Sequence, residues 1–74
     1  SKTGTALTEI YGSTTDVEIR RAVVEGLFVQ GNAEAIVALA RKESDPAMKK
    51  VMIQRLSMMK SKVAIDYLLE VLGK

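Results

Sequence analysis

Thr15-Asp16-Val17-Glu18-Ile19-Arg20-Arg21-Ala22-Val23-Val24-Glu25-Gly26-Leu27 lies over Ser44-Asp45-Pro46-Ala47-Met48-Lys49-Lys50-Val51-Met52-Ile53-Gln54-Arg55-Leu56 when the chain is shifted against itself by 29 residues. Apolar positions meet apolar ones and basic positions meet basic ones. The same shift places Ala6, Leu7 and Ile10 over Ala35, Ile36 and Leu39, and these over Ala64, Ile65 and Leu68. One segment type therefore occurs twice and a second three times, the signature of a repeat architecture.

Both segment types read as helix. Ile19, Ala22, Val23, Gly26 and Leu27 recur at i, i+3, i+4, i+7 and i+8, the spacing of one helical face, and no strand alternation competes with it. Thr15 with Glu18 predicts a capping box, and Ser44-Asp45-Pro46 predicts cap oxygens followed by a first-turn proline. Gly31-Asn32 predicts a left-handed stop and a new cap, and Lys60-Ser61, one period on, a serine cap. The expected helices are 5–12, 16–29, 33–42, 46–59 and 62–72, joined by short turns that bring neighbours back antiparallel. The expected core is Leu7, Ile10, Ile19, Val23, Leu27, Ile36, Leu39, Val51, Met52, Leu56, Ile65, Leu68 and Leu69, with Val24 and Ile53 against adjacent helices of their own kind. The chain, residues 1–74, is read as one all-α domain.

The run from Asp16 to Leu27, followed by Gly31-Asn32-Ala33-Glu34-Ala35-Ile36-Val37-Ala38-Leu39, resembles the short HEAT-type repeat, the form also seen in phycobilisome-lyase-like repeats. That pattern opens its first helix with Asp-Pro-x-Val-Arg and turns into the second through Gly-Asp/Asn. Asp45-Pro46 and Ile19-Arg20 carry the match, and Arg55 departs from it where the family favours a small residue and the first repeat has Gly26. The resemblance implies a right-handed α-α superhelix, or solenoid, of about two and a half antiparallel helix-pair repeats, with second helices lining an inner face. It also implies that Arg20 and Lys49 pair with acids near the repeat junctions, for which Asp16 and Asp45 are the natural partners.

Composition narrows function by exclusion. The 74 residues contain no histidine and no cysteine, which removes disulfides, zinc sites of the usual ligand set and His-based nucleophilic catalysis. No Gly-rich phosphate loop occurs. Lys60-Ser61-Lys62 reads as a helix cap between solvated lysines, and Glu43 with Asp45 lacks the further oxygens a metal site needs. The expectation is no enzyme, no catalytic residue, no metal and no cofactor.

Net charge is +2, distributed unevenly: residues 1–37 hold three basic and five acidic side chains, and the remainder is net +4. Pro46 to Ile65 carries Lys49, Lys50, Arg55, Lys60 and Lys62 and no acid. This candidate basic patch admits a nucleic-acid reading, although only Tyr11, Phe28 and Tyr67 offer rings for base stacking; a solvated outer helix explains it more simply. The candidate partner surface is the inner ridge, with Thr8, Val37 and Asp66 in one row, Gly12, Arg41 and Glu70 one turn on, Glu34 and Lys62 flanking, and Tyr67 as its aromatic anchor. The leading expectation is a non-enzymatic scaffold or protein-interaction module whose partner the residues do not name; nucleic acid is the lesser alternative and a membrane partner is not expected.

No signal peptide or membrane-length apolar run is present, and a cytoplasmic protein is expected. Ser1-Lys2-Thr3-Gly4 is read as a processing or tag remnant, and the whole as a piece of a longer chain. Half a repeat opens it, and Val63, Leu69, Val71 and Leu72 leave apolar surface at the other end. Self-association through the ends is the expectation, because terminal repeats ordinarily carry a polar outer face.

Overall fold

The structure is a computed structural model that describes residues 2–73, with side chains from residue 4 onward. Its elements are α1 (Lys2–Ser13), α2 (Val17–Val29), α3 (Ala33–Lys42), α4 (Pro46–Ser57) and α5 (Lys62–Leu72), all α-helices. The expected all-α class and the order of the five helices hold. α1 extends back to Lys2 instead of starting at 5, so Lys2 to Gly4 belong to the fold; Ser1 lies outside the described residues. α4 ends at Ser57, two residues early. There the Met58 and Met59 N–H groups donate to the Arg55 and Leu56 carbonyls at 3.0 and 3.1 Å, tightening the last turn into i→i+3 bonds.

Each helix start has a local cause. Asp16, not Thr15, caps α2: its carboxylate accepts from the N–H groups of Glu18 and Ile19 at 2.9 and 3.3 Å. A full negative charge at a helix N-terminus outcompetes a hydroxyl, so the Thr15–Glu18 capping box does not form. Asp45 caps α4 from the equivalent place, with Pro46 in the first turn. Between α2 and α3, Gly31 adopts φ +70°, the Asn32 N–H donates to the Leu27 carbonyl and the Gly31 N–H to the Phe28 carbonyl, both at 2.9 Å. This is the Schellman pairing, and Asn32 then caps α3 through the Ala35 N–H. Ser61 caps α5 through the Ala64 N–H.

Every helix packs against the next one and the next but one: α1 on α2 and α3, α2 on α3 and α4, α3 on α4 and α5, and α4 on α5. Among the described residues α1 touches neither α4 nor α5, and α2 does not touch α5. The Cα envelope is 31 × 25 × 16 Å, its thin dimension leaving room for two helix layers at the usual 8–10 Å spacing. The core runs through both layers: Val23, Val24 and Leu27 from α2, Ile36, Val37 and Ala40 from α3, Met48, Met52 and Leu56 from α4, with Ala64, Tyr67 and Tyr11 closing it.

Of the expected core, Val23, Leu27, Ile36, Met52 and Leu56 are buried, and Leu7, Leu39, Val51 and Leu68 are partly buried against them. Ile10, Ile19, Ile65 and Leu69 are exposed. All four sit on α1, α2 or α5, where none of the five helices among the described residues lies beyond to cover them.

Candidate functional site

Three charged or aromatic residues from separate segments meet at the junction of α1, α2 and the α3–α4 connection. Tyr11 is near the end of α1, Arg20 in the first turn of α2, and Glu43 directly after α3. The Tyr11 hydroxyl donates to Glu43 Oε1. Arg20 Nη1 lies 3.5 Å from the same oxygen, and its guanidinium stacks over the Tyr11 ring with Cζ 4.6 Å from the centroid. Arg20 Nε donates to the Thr14 carbonyl at 2.8 Å, and Glu43 Oε2 accepts from the Asp45 N–H at 3.0 Å. Every polar end in the cluster has a partner, which is what allows Tyr11 and the Glu43 side chain to be buried.

Electrostatics follow from this packing. Burial, together with the hydrogen bond to the Glu43 carboxylate and its charge, pushes the Tyr11 hydroxyl far above its ordinary range. For Glu43, burial acts to raise the pKa, but the Tyr11 hydroxyl, the Asp45 and Ser44 N–H groups and the Arg20 charge together outweigh it and hold the carboxyl below its usual value. Tyr11 is thus a fixed donor and Glu43 a fixed acceptor at neutral pH. Beside them opens a cleft of about 500 Å³, bordered by Thr8, Gly12, Leu39 and Lys42. Arg20 and Lys42 balance Glu9 and Glu43 around it, so its walls carry both signs.

The family-type ladder is absent in the expected form. Asp16 and Asp45 are occupied as caps, and Arg20 reaches forward to Glu43 instead of back to Asp16. Nor does the cluster recur one period on, where Ala40, Lys49 and Leu72 replace Tyr11, Arg20 and Glu43. The sequence held a faint signal for it: Tyr11 is the only ring in α1, and Glu43 is an acid in a three-residue connection.

The inner ridge is only partly a surface. Val37 and Tyr67 are 7% and 3% exposed, so neither stands on it: α3 packs against four helices and α5 against two. Around them Arg41 and Glu70 form a two-bond pair at 2.6 and 2.9 Å, linking α3 to α5 across one period, and Arg41 also stacks over the Tyr67 ring at 5.0 Å. Lys62 bonds Asp66 within α5 at 2.9 Å, and Glu34 is exposed in the first turn of α3.

The basic stretch is also divided. Arg55 reaches back to Glu25 at 2.8 Å and over the Phe28 ring at 5.3 Å, so this large side chain spans from α4 to α2 instead of crowding the corner. Lys62 is committed to Asp66. Lys49 borders a hollow with Arg41, Tyr67 and Glu70, while Lys50 and Lys60 are exposed. Two of the five cations, Arg55 and Lys62, are thus paired with acids. Searches against family models, curated proteins and solved structures return no match to this chain. The likeness to the short HEAT-type repeat therefore stands on the residue pattern. No helix among the described residues is long and apolar enough to cross a membrane.

Proposed function

We propose that the chain is a non-enzymatic helical-repeat scaffold, about two and a half helix-pair repeats of a right-handed α-α superhelix of the short HEAT type, that works by presenting surface to protein partners. The observation that carries this reading is that positions one period apart play the same part. Val23 and Met52 are both buried, as are Leu27 and Leu56, and Asp16 and Asp45, like Asn32 and Ser61, cap equivalent helices. Packing limited to near neighbours along the chain is what a repeat array produces. The nucleic-acid alternative has less support, because Arg55 and Lys62 of the basic stretch are engaged within the molecule.

The architecture is tested by inserting a second copy of residues 17–45 between residues 45 and 46, with Arg41→Gln in the inserted copy so that it meets both Arg41 and Glu70 without repulsion. A scaffold of this kind folds as a longer array. Its solution scattering gains roughly 10 Å in the longest dimension, about one interhelical spacing, and its thermal transition moves up. Loss of helicity, or unchanged dimensions, overturns the reading.

A further inference from the structure

Several large apolar side chains left exposed have covered counterparts elsewhere in the molecule. Ile19 is 43% exposed, whereas Met48, one period on, is buried. Ile65 and Leu69 are 50% and 62% exposed, whereas Ile36 and Ala40, one period back, are fully buried. Leu72 is 82% exposed, and the side chain of its counterpart Glu43 is 4% exposed. On α5, residues 65, 69 and 72 form a single stripe at i, i+4 and i+7.

The contacts of α1 show what such a stripe fits. Leu7 packs against Gly26, its Cδ1 lying 3.3 Å from where a Cβ would stand, and Tyr11 lies under Arg20, so the face of α1 bearing positions 7 and 11 is turned to α2. Two periods on, those positions are Ile65 and Leu69. α5 therefore leaves bare the face that α1 applies to α2.

We infer that α5 of one copy docks on α2 of a second copy in the place of α1, so that α1 is an intramolecular plug and copies of this chain associate head to tail when it lifts. The inference rests on the repeat reading above. The occupant is a second copy because the receiving surface is present in this chain in matching register: Leu7 packs against Gly26, and Ile65 stands at the position of Leu7 two periods on. Two features set the balance. α1 is a weak helix, holding Gly4, Gly12 and three threonines in twelve residues. Against that, Tyr11 donates to Glu43, a bond that Leu69 cannot replace, so the plug holds its place against the partner helix. The contact joins two different surfaces and so repeats without closing.

Sedimentation of the 74-residue chain tests this at concentrations from about 10 μM to about 1 mM, a range over which mass action reveals weak association. Leu7→Glu places a carboxylate between α1 and α2; the variant is expected to self-associate roughly tenfold or more tightly than the parent, as the competent fraction rises. Leu69→Glu, at an exposed site, is expected to return the double variant to a monomer with unchanged helical circular dichroism. A helical, monomeric Leu7→Glu chain overturns the inference, as does association that Leu69→Glu leaves untouched. Should Leu7→Glu unfold the chain, a synthetic peptide of residues 61–73 added to the labelled parent decides by NMR. Loss of exchange protection confined to α1, with shifts at Gly26, supports docking, and unchanged spectra at saturating peptide overturn it. If the duplicated array folds while Leu7→Glu stays monomeric, the repeat reading stands and this one falls.

Discussion

Tyr11, Arg20 and Glu43 join three segments through one carboxylate, and each contributes in a separable way. Tyr11→Phe keeps the ring under Arg20 but leaves a buried Glu43 oxygen short of a donor, an expected cost of about 1–3 kcal/mol. Calorimetry reads this as a fall of roughly 4–8 °C in Tm per kcal/mol for a domain of this size. The pH dependence follows from Glu43. Its folded pKa lies below the unfolded one, so its contribution is complete above about pH 4.3, the ordinary glutamate value, and is lost as pH falls through the folded pKa. Thermal melts between neutral pH and about pH 3 are expected to show the parent losing stability in acid more steeply than Glu43→Gln, which is weaker at neutral pH; parallel curves would remove Glu43 from the acid response. Gly31, at φ +70°, closes the Schellman turn, and Gly31→Ala is expected to cost about 1–2 kcal/mol because a Cβ disfavours that backbone.

At the scale of elements, the helices differ in what supports them. α3 has an acid in its first turn and two cations in its last, complementing its dipole, whereas α1 has neither and depends on packing against α2 and α3. Its amides are expected to exchange fastest of the five helices. Two glycines separate propensity from packing. A Cβ at Gly12 meets nothing within 4 Å, so Gly12→Ala is expected to stabilise the chain by about 0.5–1 kcal/mol. At Gly26 the same change drives a methyl toward Leu7 at 3.3 Å, and the packing strain offsets the gain. Denaturant melts that show equal stabilisation by both substitutions would contradict the α1–α2 contact.

As a whole molecule, 74 residues carry little reserve, about 4–11 kcal/mol at the usual stability per residue. Leu27→Ala or Leu56→Ala, at fully buried positions, costs about 2–5 kcal/mol and is expected to remove much of it in urea titrations. The five helices were open to reading, since caps and apolar spacing act within one or two helical turns. Asp45-Pro46, Gly31-Asn32 and the 29-residue shift identified five helices, most of their limits and the positions Val23, Leu27, Ile36, Met52 and Leu56 as core. Tertiary structure alone decided the rest. Tyr11 meets Glu43 across 32 residues, Arg55 turns back to Glu25, and Val37 and Tyr67 pass from the ridge to the interior, because which long side chains meet depends on how helices lie against one another. The same cause bares Ile19, Ile65 and Leu69: a periodic sequence marks which faces are sticky, but only packing shows which of them find a neighbour.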